Sequence, residues 1–294
     1  MPTTVLPTAS LPFTPQLEAQ LRAWLAEDLG RGDLTAAALA GCSGRAHWLA
    51  KADGVFCGGV LVERLFQLLD PGVVVRLLVR DGMAVAAGQR LLELEGSAEA
   101  LVAGERTALN LAMRLSGIAT ATAALVAALA GTGVRLADTR KTTPGLRVLE
   151  KYAVRCGGGI NHRQGLDDAA MLKENHLAWA RGEASGVAGV IAAVRDAAPW
   201  PARVIVEAET AAEAEAAVRA GADGVLLDEF TPPQLAELVP QLRALAQVRQ
   251  LVLEASGVQP EQLRAYAATG IDLISTSAPI TRSVWLDLSM RFDA

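Results

Sequence analysis

The sequence predicts an α/β protein in which an amino-terminal α+β domain precedes an incomplete α/β barrel. Two observations carry this. Strand-like runs separated by turn signals fill the first third, and short β-branched runs alternate with Ala-rich helices from Val134 onward. A third sets the size: a closed eight-stranded barrel takes about 250 residues, whereas only six candidate strands follow Val134. At 294 residues and 51% hydrophobic composition, the chain can bury a core for each part.

The opening MPTTVLPTASLPFT has no basic residue and no continuous apolar block, so residues 1–14 are expected to be a disordered tail rather than a secretory signal. Leu17, Leu21, Trp24 and Leu25 recur at helical spacing and predict a helix from Pro15 to Asp28. HWLA, VVVRLLV and RLLELEG read as strands of an antiparallel sheet, with turns at Asp53-Gly54 and Asp81-Gly82. The block DGMAVAAGQRLLELEG also matches the hairpins of biotinyl and lipoyl carrier domains, but its turn offers no lysine to modify. Leu115 to Val134 is uncharged and long enough to reach across a bilayer, yet it is mostly Ala, Thr and Gly, which favours a buried helix.

The later strands are VRLAD, AMLK, RVIVE, GVLLD, QLVLEAS and DLISTS, and the helices between them include GLRVLEKYAV, TAAEAEAAVRAGA, TPPQLAELVPQLRAL and QPEQLRAYAATG. Thr231 before Pro232 and Pro233 marks a helix start, and Gly221 and Gly270 mark helix ends. The expected domains are 15–115 and 116–278, with 279–294 packing back on the first.

A net charge of -5 and a pI near 5.4 argue against nucleic-acid and anionic-membrane partners, so any bound anion must be captured locally. Cys42, Cys57 and Cys156 are odd in number and widely spaced, which fits a reducing cytoplasm better than a disulfide framework.

Active groups of parallel α/β proteins sit at the carboxyl ends of strands. Here those ends carry Asp138, Thr139, Arg140 and Lys141; then Lys173, Asn175 and His176; then Glu207; Asp228; Glu254 and Ser256; and Thr276 and Ser277. Cations precede acids, an order suited to a polyanionic substrate with a divalent cation such as Mg²⁺. Only four lysines occur, and Lys141, Lys151 and Lys173 fall close together with His162 and His176. Lysine in an arginine-using chain points to a required point charge or titratable amine at Lys141 and Lys173. Lys151, inside a helix, reads as part of a solvated face. Gly157, Gly158 and Gly159 permit a close backbone approach to a ligand beside His162 and Arg163.

The run DTRKTTPGLRVLEKYAVRCGGGINHRQGLDDAAMLKENH resembles the central signature of the quinolinate phosphoribosyltransferases. The resemblance extends through EDLGRGDLT, GVFCGG, GERTALNLAMRLSGIAT, VEAET, AGADGVLLDEF, LEASG, ATGIDLIS and LDLSMRF, nearly the whole chain. It implies an amino-terminal open-faced sandwich, a carboxyl-terminal incomplete α/β barrel, and a homodimer or dimer-based oligomer with shared active sites. The implied reaction joins quinolinate to 5-phosphoribosyl-1-pyrophosphate with Mg²⁺, releasing carbon dioxide and pyrophosphate and giving nicotinate mononucleotide for NAD synthesis.

By that resemblance Arg106 reaches quinolinate in the neighbouring subunit, and Arg140, His162, Arg163 and Lys173 bind it. Lys141 stands between the two substrates, and Lys141 or Lys173 stabilises charge on the ring during decarboxylation. Glu207 and Asp228 serve the ribose and the metal. Ser256, Gly257 and the turn Thr276, Ser277, Ala278 hold the 5-phosphate. The chain departs from the family where Glu229 follows Asp228, where Val258 follows Gly257, and in the turn Thr276 to Ile280. The TSAP of that turn, together with VEAET and LDEFTP, leans toward pyrophosphorylase-like proteins of molybdenum transport, the closest alternative. A nicotinate phosphoribosyltransferase would need fewer cations, and a non-catalytic binding protein would have lost charged strand ends.

Overall fold

The computed structural model of the chain describes residues 9–179 and 186–293. In chain order, helix α1 (Pro15–Leu29) is followed by β1 (Ser43–Ala50), β2 (Gly54–Val55), α2 (Gly59–Leu69), β3 (Val74–Leu77), β4 (Ala84–Val85), β5 (Arg90–Ser97) and α3 (Ala98–Ala128). Then come β6 (Arg135–Ala137), α4 (Arg147–Cys156), β7 (Ala170–Leu172), α5 (Glu174–Trp179), α6 (Gly186–Ala197), β8 (Val204–Ala208) and α7 (Ala211–Arg219). The chain continues through β9 (Gly224–Leu227), α8 (Pro232–Ala246), β10 (Val252–Ala255), α9 (Leu263–Ala267), β11 (Leu273–Ser275), α10 (Ala278–Thr281) and β12 (Leu288–Asp293).

Two compact units divide these elements. One holds the described residues up to Ala123, the segment Thr143–Gly158 and the residues from Pro279 on; the other holds Ala124–Thr142 and Gly159–Ala278. The boundary expected at 115/116 therefore falls inside α3, and Thr143–Gly158 groups with the first unit rather than with the barrel.

In the first unit an antiparallel sheet of order β12-β1-β5-β3 carries Ala46, Trp48 and Ala50 of β1 on its buried face, while the alternate residues are less covered. One covered face and one open face make an open-faced sandwich. Leu61, Leu65 and Phe66 of α2 and Leu101, Leu109, Leu115 and Ile118 of α3 complete its core. By length and composition α3 could cross a membrane, but these leucines are buried in the unit's core. The carrier-domain reading fails on pairing: β4 pairs with β2, not with β5.

Thr14 Oγ1 accepts the Leu17 amide at 3.2 Å and Pro15 enters the first turn, which fixes the start of α1. Leu17, Leu21 and Leu25 are buried, and Ala9 and Leu11 pack against the same core. Residues 9–14 are thus anchored and not part of a disordered tail, because apolar side chains there find a core to cover; residues 1–8 of that expected tail lie outside the described residues.

Two further expectations are corrected around α4. Lys151 is fully buried, not solvated, because Leu149 through Val154 are all buried and leave that stretch without a solvent face. Gly157 makes its close approach to α3 rather than to a ligand: a Cβ there would stand 2.4 Å from the Ala119 carbonyl oxygen and 2.5 Å from Thr122 Cβ.

The second unit is a six-stranded sheet of order β6-β11-β10-β9-β8-β7, parallel throughout. Each strand is one of the six expected from the sequence. A bridge from Ala137 to Ile160 extends it beside β6, and among the described residues no pairing joins that side to β7. Val206, Val225, Leu227, Leu253 and Ile274 fill its core, and capping boxes at Thr210–Glu213 and Thr231–Gln234 start α7 and α8.

Candidate active site

The parallel register puts the strand ends on one edge. Ser275 pairs with Ala137, Ala255 with Ile274 and Leu227, and Ala208 with Leu227, so the residues that follow emerge together. The strand-end residues described below belong to the second unit.

After β6, Asp138 is only 1% exposed and works inward. Its Oδ1 accepts the His162 amide at 2.8 Å and its Oδ2 accepts the Asn161 side-chain amide at 2.6 Å, which pins the loop after Ile160. Thr139 Oγ1 accepts the Lys141 amide at 3.0 Å, turning the chain so that Lys141 is exposed on the rim. Arg140 is half-buried, and its Nε is buried with no hydrogen-bond partner among the described residues.

Arg163 donates from Nη1 to the Ala169 carbonyl at 2.8 Å. Burial, with the Arg140 guanidinium nearby, pulls the Arg163 group below its usual range. The pair thus presents two mutually repelling positive charges, one with an orphaned donor, a chemistry that suits anionic acceptors. His162 lies in the same loop: its Nδ1 accepts the Arg163 amide at 2.8 Å, and its Nε2 lies 3.3 Å from Oε2 of the buried Glu254 on β10.

At the end of β7, Lys173 is exposed and its Nζ lies 2.5 Å from Glu207 Oε2 at the end of β8. The Lys173 amide donates to Nδ1 of the exposed His176 at 3.1 Å, so His176 caps the strand-to-helix turn. Cys156 is a packing residue, a free thiol buried in the first unit against Cys57.

The acids gather next to Lys173. Oxygens of Glu207, Glu209 and Asp228 all lie within 4.8 Å of one another, a set of hard ligands that fits Mg²⁺. Glu209 was not singled out in the sequence, although its spacing of two from Glu207 in VEAET puts both on one face of the strand end. Repulsion from Glu174, then burial and the carboxylates of Asp228, Glu213 and Glu207, raise its pKa. Ser256 Oγ donates to Asp228 Oδ1, tying the ends of β9 and β10.

The expected phosphate turn is partly engaged already. The Thr276 amide donates to the Ala137 carbonyl at 3.0 Å and the Ala278 amide to Thr276 Oγ1 at 3.2 Å. Gly257, at φ 75°, is exposed, but a Cβ on it would stand 2.9 Å from Glu229 Oε1. The unusual Glu229, itself left-handed at φ 57°, therefore brings a carboxylate against this glycine. Arg106 is exposed on α3 in the first unit.

Comparison with known proteins matches two family models in succession: the N-terminal domain of quinolinate phosphoribosyl transferase over residues 33–116 and its C-terminal domain over 118–291. A probable nicotinate-nucleotide pyrophosphorylase [carboxylating] of Synechocystis is 44% identical over 97% of this chain and 95% of its own. The human nicotinate-nucleotide pyrophosphorylase [carboxylating] is 38% identical over 95% and 92%. The crystal structure of NadC from Streptococcus pyogenes superposes with a TM-score of 0.87 at 37% identity, covering 96% of this chain and 98% of that one.

Proposed function

This chain belongs to the quinolinate phosphoribosyltransferase family, and from that premise we propose how its side chains divide the reaction. The enzyme is a pentosyltransferase: it transfers phosphoribosyl from 5-phosphoribosyl-1-pyrophosphate to quinolinate with decarboxylation, giving nicotinate mononucleotide, carbon dioxide and pyrophosphate for NAD synthesis.

The observation that carries the assignment of roles is the Arg140–Arg163 couple, where two half-buried guanidiniums repel and the Arg140 Nε lacks an acceptor. Quinolinate's adjacent carboxylates supply what is missing, each hydrogen bond to an ion being worth about 1.5–3 kcal/mol. Arg106 of a second subunit completes the grip, which makes the working unit a homodimer with shared sites. The pyridine nitrogen then faces the ribose carbon. As pyrophosphate departs, positive charge grows on that carbon, and the carboxylates of Glu207 and Asp228 stabilise it.

Glu207, Glu209 and Asp228 would hold Mg²⁺, which when bound neutralises charge on the leaving pyrophosphate. Once ribosylated, the ring nitrogen is cationic, so the bond from C2 to its carboxylate breaks, carbon dioxide leaves, and the electron pair stays on C2 beside the positive nitrogen until a proton from solvent water takes it, giving the nicotinate ring. Lys141 or Lys173 stabilises the charge during that step without giving up a proton. Ser256, Gly257 and the turn Thr276 to Ala278 receive the 5-phosphate. Free Cys57 and Cys156 suit a reducing cytoplasmic setting.

The test is direct. Purified protein with Mg²⁺, the phosphoribosyl donor and quinolinate should give nicotinate mononucleotide and one carbon dioxide per turnover, and little product with nicotinate in quinolinate's place. Loss of turnover on Arg140→Ala with equilibrium binding of the donor preserved supports the assigned roles; unchanged kinetics would overturn them.

A further inference from the structure

His162 lies in the loop after Ile160, next to Arg163, and its ring hydrogen bonds decide what it can do there. Nδ1 accepts the Arg163 amide at 2.8 Å, so Nδ1 carries no proton. A neutral imidazole has one N–H, which must then be on Nε2. Nε2 lies 3.3 Å from Glu254 Oε2, so the imidazole donates and the carboxyl accepts. The reverse is excluded, because a ring accepting at both nitrogens would be an imidazolate.

Glu254 is the buried end of this arrangement. It lies within β10, 2% exposed, with Oε1 buried and without a hydrogen-bond partner among the described residues. It lines, with Asn161, His162 and Arg163, a cavity of about 380 Å³ in the second unit. The loop is thus anchored from two strands: Asp138 after β6 takes the Asn161 side chain and the His162 amide, and Glu254 on β10 takes the His162 ring. The next residue is Arg163, which must be held near Arg140 against repulsion.

We propose that Glu254 is a positioning residue for the dicarboxylate subsite. It locks His162 as the neutral Nε2–H tautomer, so His162 offers substrate no N–H and serves to orient Arg163. The cationic contacts with substrate then come from Arg140, Arg163, Lys173 and the second subunit's Arg106, and not from an imidazolium. This deepens the functional reading above and rests on it for the identity of the ligand, but the tautomer does not depend on turnover.

The experiment is ¹⁵N-histidine NMR of the full-length protein between pH 6 and 8, with His162 assigned by loss of its signals in His162→Gln. The Nε2–H pattern should persist when quinolinate is added. Protonation of Nδ1 on quinolinate binding would make His162 a direct cationic contact and overturn the proposal. Kinetics supply a second readout. Glu254→Gln keeps an acceptor and should retain the tautomer and quinolinate KM. Glu254→Leu removes it and should raise that KM about tenfold, the scale of one charge-assisted hydrogen bond, with the donor's KM unchanged. Equal rises in both KM values, or none, would also overturn it. Wild-type protein that shows the Nε2–H pattern but does not turn over quinolinate would sink the substrate reading and leave the His162–Glu254 lock standing.

Discussion

Lys173 Nζ lies 2.5 Å from Glu207 Oε2, joining the ends of neighbouring strands β7 and β8 and linking the cationic rim to the acidic one. The Lys173 side chain is 46% exposed, so the pair adds at most about 1 kcal/mol to stability. Lys173→Ala should therefore leave thermal unfolding nearly unchanged while turnover falls roughly 10²–10³-fold, the scale for removing one charge that stabilises a transition state. Turnover within a few-fold of the parent would exclude Lys173 from the chemistry.

Arg140→Lys keeps the charge and loses the planar fork. The quinolinate KM should rise roughly 10- to 100-fold from one lost hydrogen bond to a carboxylate, and the donor's KM should stay put. Steady-state kinetics with each substrate varied in turn distinguishes this from a general loss of folding.

Arg106→Ala and Arg140→Ala should each be inactive alone and complement when mixed under conditions that exchange subunits. Each heterodimer has one site of two with both arginines, and random reassortment makes about half of the dimers heterodimers, so about a quarter of all sites are intact, which sets the expected recovery. No recovery after proven exchange would place Arg106 outside the partner's site.

Gly157→Ala drives a Cβ to within 2.4 Å of the Ala119 carbonyl oxygen and 2.5 Å of Thr122 Cβ. Neither is the tip of a flexible chain, so a destabilisation of about 1–3 kcal/mol is expected in denaturant unfolding. A neutral result would mean that α3 shifts freely at this point.

Glu18 accepts from Arg64 at 2.5 and 2.9 Å, linking α1 to α2, and this bond holds the Glu18 carboxyl below its ordinary pKa. A depressed acid contributes stability that is present above the unfolded pKa of 4.5 and is lost as pH falls through the folded value. Glu18→Gln should thus lower Tm at pH 7 and converge with the parent in strong acid. A Tm difference that persists in strong acid would assign the effect to packing.

The six parallel strands and their polar ends were legible in the sequence, because β-branched runs, the helix start at Thr231 and a polar residue at each strand exit are local signals. Arg140, Lys141, Arg163, Lys173, Glu207 and Asp228 stood out as candidates for the same reason, each lying at or next to a strand end or in the loop after Gly159. Glu209 was within reach through its spacing from Glu207 but was not singled out.

What remained hidden depends on partners far along the chain. Lys151 reads as a surface lysine until the burial of Leu149 through Val154 removes its solvent face, and Gly157 reads as a ligand-loop glycine until α3 comes against it. Glu254 reads as one more strand end; its burial and its pairing with His162 arise only when β10 is placed in the sheet beside β9 and β11. The sequence by itself determined which residues are strands, where the strands end and which charges the ends carry, since these follow from short-range periodicity. Tertiary structure alone decided which of those charges stay exposed at the rim and which are buried and hold the frame, because burial and hydrogen-bond partners are properties of neighbours that the chain brings together only on folding.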